Sequence, residues 1–320
     1  MTRPSPLLLL LLAGSLWPGC DRAAGAAAKG RWLLPLEERQ GDPFPRTFLD
    51  QYGGEIVVPA PPQRIASATV FTDAVLLDFC PRDRIAALSA KSKESEFSPV
   101  AKESQGFPNH ITADPESILW VDPDLVFLSS FSARSTLRLV GGGRRQVVRL
   151  HEFDTLVAIQ NNIRAVGYLL DLDSSAEARV ADMNTWLGRI QRESKSRGAV
   201  WRVVSWSGGY VAGAGTIFDS LLPYCGASNL ASEKGTNGHK AVAAERILDW
   251  NPDALVVGVR PGGEEAVRKL IKQSAALRLL PAVQKDRIVF VPNALLLSTS
   301  HHLVGAAEVI AKQLDKWGKP

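Results

Sequence analysis

The sequence predicts an α/β protein. Two Rossmann-like lobes with mostly parallel sheets are joined by a single long α-helix, and a ligand cleft lies between them. Three observations predict this. Short runs that are apolar throughout alternate with helical patterns, as strands buried on both faces of a parallel sheet do. One helix-then-strand unit is written twice, as "DPESILWVDPDLVFL" (114–128) and "AAERILDWNPDALVVGV" (243–259). In each copy a Glu leads, Ile-Leu follows, and Pro-Asp falls seven residues after the Glu, ahead of an apolar run. Between the copies lies one long, well-marked helical pattern.

The elements follow in order. "EIVV" (55–58) reads as a short strand, and residues 64–68 as a buried one after a proline turn. "TDAVLLDFC" (72–80) has helical spacing with Thr72 as its N-cap. Strands at 84–88, 124–129 and 146–150 complete a first lobe, taken as 55–153. Connecting helices fill 154–197. The long one, "SSAEARVADMNTWLGRIQRESKS" (174–196), opens with Ser174 three residues before Glu177, the spacing of a capping box. Val180, Met183, Leu187 and Ile190 then recur at helical spacing. At 1.5 Å per residue it spans roughly 34 Å, a stiff connector that allows little hinge closure. The second lobe, 198–320, has buried strands at 200–206, 254–259 and 287–291, and helices at 217–225, 241–250, 264–274 and 303–317.

Composition is that of a globular protein, 45% hydrophobic and 22% charged, with a net charge of +4. The basic residues are scattered, so no nucleic-acid surface is expected. "MTRPSPLLLLLLAGSLWPGC" has a positive start, a short apolar block and small residues, the pattern of an export signal over 1–20. Two processing sites compete. Cys20 after Gly19 has the position of a lipidated cysteine, and "AAA" (26–28) offers ordinary cleavage. The protein is therefore expected to be exported, either periplasmic or anchored by lipid on Cys20. Residues 21–54, rich in Ala, Gly, Pro and charge, read as a tether. Cys80 and Cys225 either form one disulfide or are two separate buried thiols.

The ordered set "VPAPPQRIASA", "ADPESILWVDPDLVFL", the long helix, "AAERILDWNPDALVVGV" and "LLPAVQKDRIVFVP" (279–292) resembles the class III, helical-backbone substrate-binding proteins of ABC importers. That group includes iron–siderophore, haem and cobalamin binders. The resemblance covers roughly 55–317. It implies a monomeric, non-enzymatic component that carries a small metal chelate to an inner-membrane permease and its ATPase. It implies no resident cofactor, any iron or cobalt belonging to the bound ligand. It also implies that Glu116 and Glu245, one on each lobe, meet arginines of the permease. A plainer role competes for Glu116: Asp114-Pro115-Glu116 is an ordinary helix start, with an acid at the positive helix end.

Ligands of open α/β lobes bind beyond the carboxyl ends of the strands. The loops after the strands therefore supply the candidates Thr69, Phe71, Phe131, Trp206, Tyr210, His239, His301 and His302. Trp206 and Tyr210 flank a flexible Ser-Gly-Gly and suit a bulky compound, although Trp206 could equally pack inward. The three histidines either contact a metal, hydrogen-bond a polar ligand, or cap a helix after "STS". A bare divalent-metal site built from His110, His151 and His239 is the weaker alternative. An enzyme on the same fold is weaker again: "VSWSGG" lacks the first glycine of a nucleophile elbow, and no phosphate-binding glycine motif follows a strand.

Overall fold

The computed structural model describes residues 30–49, 54–141, 145–196 and 198–320. The leader, Cys20 and the alternative cleavage site lie outside these. The strands β1 (Arg46–Leu49) and β2 (Glu55–Val58) pair antiparallel. The first lobe is a parallel sheet of β3 (Ile65–Ser67), β4 (Ile85–Ser89), β5 (His110–Ile111), β6 (Leu125–Leu128) and β7 (Gln146–Arg149), in the order β5-β4-β3-β6-β7. The second lobe is also parallel. It contains β8 (Trp201–Ser205), β10 (Ala227–Asn229), β12 (Ala254–Val259) and β13 (Ile288–Pro292), in the order β10-β8-β12-β13. A small ribbon of β9 (Tyr210–Ala212) against β11 (His239–Ala241) stands beside it. Strand β6 is buried along its whole length and β12 at every residue but Gly258, as their apolar runs require.

Both sheets are doubly wound. The chain lays down β3, moves outward through β4 and β5, then returns to place β6 on the other side of β3. The second lobe does the same with β8, β10 and β12. Each lobe therefore has a switch point, β3/β6 in one and β8/β12 in the other, where the loops diverge and leave a crevice.

The repeated unit has one physical role in both lobes. Asp124 Oδ2 accepts the backbone N–H groups of Gln63 (2.6 Å) and Arg64 (3.1 Å), just ahead of β3. Asp253 Oδ2 accepts the N–H of Arg202 (2.9 Å) in β8, and its Oδ1 pairs with the Arg202 guanidinium at 3.0 Å. Each Asp thus fixes the start of the strand across the switch point. Asp122 and Asn251, at matching positions, both take positive φ (41° and 52°), the left-handed turn that ends the helix and begins the strand.

Two helices, Leu156–Leu170 and Asp173–Lys195, connect the lobes. Ala176, Val180, Met183, Leu187, Ile190 and Ser194 are buried along the second, the stripe its spacing predicts. Gly167 lets the two helices touch: a Cβ there would lie 2.4 Å from the Ala176 Cβ. One continuous apolar core runs from Val75 and Leu76 through Ile163 and Val180 to Trp201 and Leu303, so both lobes share it with the connecting helices.

Several local expectations need correction. The long helix begins at Asp173 with no side-chain cap; Ser174 is already inside it, and Glu177 is taken by arginines instead. Thr69, not Thr72, caps the Val70–Phe79 helix, accepting the Thr72 N–H at 3.2 Å. Cys80 and Cys225 are two separate buried thiols; burial pushes the Cys80 thiol up to about 11.

The largest departure concerns the expected tether. Residues 30–49 form a strap with two short helical turns and β1. Arg39 and Arg46 in the strap are buried against the start of the connecting helix. Arg39 pairs with Asp173 and with Glu177 (2.5 Å), while Arg46 pairs with Asp173 (2.9 Å) and Asp171 (2.6 Å). Composition hid the strap because its buried groups are two arginines and a single core aromatic, Phe48, too few for an apolar period.

Candidate functional site

The two switch points open toward each other, and their loops line a cleft between the lobes. The first-lobe wall holds a cavity of about 210 Å³ formed by Thr69–Thr72, Ser129–Phe131, Leu150 and Phe153. The second-lobe wall encloses about 510 Å³, with Ser205, Trp206, Tyr210, Phe218, His239 and Asn293 among its lining. A third space of about 190 Å³ runs between Phe97 and Leu297. Thr299 borders all three, so they are compartments of one cleft. Together they reach the size range of sites for bulky organic ligands.

The aromatic walls are set by local geometry. Thr69 ends β3 and caps the helix that carries Phe71, which is buried and meets Phe153 edge-on at 5.0 Å. Phe131, 95% exposed, projects from the loop after β6. Ser207 and Tyr210 exchange backbone hydrogen bonds of 2.9 and 3.0 Å around Gly208 and Gly209, whose φ values are +55° and +94°. This is a two-residue hairpin turn that only glycines enter without strain. It leaves Trp206 nearly buried in the wall and Tyr210 exposed beside it. Tyr210 and His239 lie on one face of the β9–β11 ribbon, because cross-strand partners share a face. Both line the cleft.

His301 and His302 were expected at the cleft and line none of its three compartments. Their rings stack on each other at 4.1 Å. Ser300 accepts from Ser298 or donates to it (2.9 Å), and the chain turns inward before the Leu303–Trp317 helix. Burial, with the neighbouring His302 and then Arg179, pushes His301 down to about 3, and burial lowers His302 as well. The loop does reach the cleft, but through Asn293, Leu296, Leu297 and Thr299. Phe153 is a wall residue outside the strand-end loops, while Thr299 lies within one of them, the 293–302 loop after β13, without being among the residues singled out there. Phe153 precedes a connecting helix, and Thr299 lies several residues beyond β13.

His110, His151 and His239 do not assemble: among the described residues no three His, Cys, Asp or Glu side chains form a group able to hold a metal ion. His110 Nε2 instead lies 3.0 Å from Ser104 Oγ. Glu116 and Glu245 are exposed, each in the first turn of its helix. Asp114 caps the first of these helices, accepting the Ser117 N–H at 3.0 Å, and that bond holds its carboxyl below its ordinary value. No helix among the described residues is long and apolar enough to cross a membrane.

Beneath the first-lobe floor lies Asp73, fully buried, accepting the Ser89 N–H at 2.9 Å and the Ser89 hydroxyl. No cation among the described residues contributes to its titration, and burial raises its carboxyl to about 7 from 3.8. The folded state therefore holds this proton more tightly than the unfolded chain does. The contribution is full below about pH 4 and is lost as pH rises through about 7. Urea unfolding of the wild type and Asp73→Asn is expected to show curves that diverge across that window by about 4 kcal/mol, at about 1.4 kcal/mol per pKa unit. Parallel curves would exclude an ionising Asp73.

A family model described as periplasmic binding protein matches residues 65–295. Among solved structures, the chain is similar to an ABC-type Fe3+-hydroxamate transport protein from Saccharomonospora viridis, with TM-score 0.68 and 19% identity, over 85% of this chain and 99% of that one. It is also similar to a periplasmic haem-binding protein from Roseiflexus sp. (TM-score 0.64, 20% identity, 78% and 98% covered). A third is the molybdate periplasmic binding protein of Haemophilus influenzae (TM-score 0.67, 15% identity, 85% and 92% covered). No curated protein sequence matches the chain. With two doubly wound lobes, one long connecting helix and a family match over most of its length, the chain belongs to the periplasmic binding protein family, in its class III, helical-backbone form.

Proposed function

We propose that this protein is the extracytoplasmic binding component of an ABC importer, taking an iron–siderophore, haem or cobalamin-like chelate between its lobes. The observation that carries the reading is the facing of two switch points across one aromatic-lined cleft. Thr69, Phe71, Phe131, Trp206, Tyr210 and His239 take the ligand in this reading, and the protein releases it unchanged to a membrane permease. Glu116 and Glu245, exposed at equivalent helix starts on the two lobes, present paired carboxylates to that permease. The solved relatives, whose names include ferric hydroxamate, haem and molybdate transport, support the class of role and leave the ligand to experiment. The stiff helical connection supports capture with little hinge motion.

A thermal-shift panel of the exported chain tests the reading. Haem, cobalamin, several ferric siderophores and divalent metal ions are each added in excess. A ligand that binds only the native state raises Tm, by about 2.7 kcal/mol of added stability at a hundred times Kd. A rise with at least one chelate is expected. A flat panel, or a rise with bare metal ions alone, would contradict it.

A further inference from the structure

We propose that the cleft selects a ligand without net negative charge, held by hydroxyl groups and aromatic faces rather than by basic side chains. The inference rests on the binding role proposed above and narrows what the site takes. The chain has 37 Lys and Arg, yet among the described residues none borders any of the three cleft compartments. The ionisable groups that do line the cleft are Asp154, Tyr210 and His239. A second carboxylate stands close by, since Glu96 Oε1 accepts from the Asn293 amide across the lobes at 3.5 Å.

Two basic residues on neighbouring segments stay outside all three compartments. The Lys91 ammonium pairs with Glu94 at 3.4 Å and lies 5.3 Å over the Phe97 ring. Lys240 alternates with His239 on β11 and shares a face with its partner Val211, and it lines none of the three compartments. The helix that opens on the cleft, Val70–Phe79, gives no spare anion site. Thr69 already caps it, and Asp73 occupies its first turn.

What the walls offer instead is hydroxyl: Thr69, Ser129, Ser130, Ser205, Ser207 and Thr299. Hydroxyls suit the oxygens of an uncharged chelate. A carboxylate or phenolate drawn from water into such a site would lose hydration with no cation to replace it. The chemical class follows from charge balance. Three singly charged hydroxamates cancel the charge of Fe3+, whereas three doubly charged catecholates leave a trianion, and haem brings two carboxylates.

Titration of the exported chain with a ferric trihydroxamate and a ferric tris-catecholate, read by quenching of Trp fluorescence and by calorimetry, tests this. Trp206, in the wall, supplies the near reporter. The neutral complex is expected to bind one-to-one and about a hundredfold tighter than the trianion, the scale of an unpaired charge at an interface. Thr299→Arg, which places a cation where the compartments meet, is expected to shift that ratio toward the trianion at least about tenfold. Ser130→Arg, on the first-lobe wall, does the same should the first variant fail to fold. Tighter binding of the tris-catecholate or of haem by the wild type overturns the charge inference and leaves the binding role standing. Binding of neither chelate, nor haem, nor cobalamin removes the binding role, and this inference with it.

Discussion

Asp173→Ala is expected to destabilise the protein by about 3–5 kcal/mol, the scale for removing one member of a buried ion pair. Asp173 accepts from both Arg39 and Arg46, and all three side chains are buried at the start of the connecting helix. Its loss leaves two guanidinium groups in a dry site with reduced compensation. Arg39 keeps Glu177, and Arg46 keeps Asp171 and the Tyr168 carbonyl. The control is Asp171→Ala, whose side chain is 50% exposed and whose loss should cost less than about 1 kcal/mol. Urea unfolding at neutral pH reads both. Equal, small effects would mean that the strap is not part of the folded unit.

The second large effect concerns the outer surface. Reversing both glutamates, Glu116→Arg with Glu245→Arg, is expected to reduce uptake by more than about a hundredfold, since like charges across an interface cost several kcal/mol. Both residues are exposed and line none of the cleft compartments, so ligand affinity should stay at the wild-type value, while Tm falls modestly because an Arg replaces an acid at each helix start. Uptake in cells and calorimetry on the purified variant separate the two. Unchanged uptake would leave Glu116 as an ordinary acid at a helix start.

The architecture was legible because it rests on features that repeat. Continuous apolar runs mark strands covered on both faces, and the twice-written Glu–Ile–Leu–Pro–Asp unit marks equivalent places in two sheets. The structure adds why the Asp recurs: Asp124 and Asp253 each tie down the strand across the switch point. The cleft was legible by strand ends, which located Thr69, Phe131, Trp206 and Tyr210. It was less legible where the chain turns after a strand. His301 and His302 follow the last cleft residue by only two and three positions, yet the serine turn sends them inward. The strap was illegible, since two buried arginines in a polar stretch look like solvent-exposed charge until their partners are found.

The central claim is that one ligand touches both lobes at once. Amide hydrogen exchange, measured with and without a chelate that raises Tm, tests it most directly. Slowed exchange is predicted together in 129–131 of the first lobe and in 207–210 and 239–241 of the second. Protection confined to one lobe, or appearing at the strap and not in the cleft loops, would contradict the account.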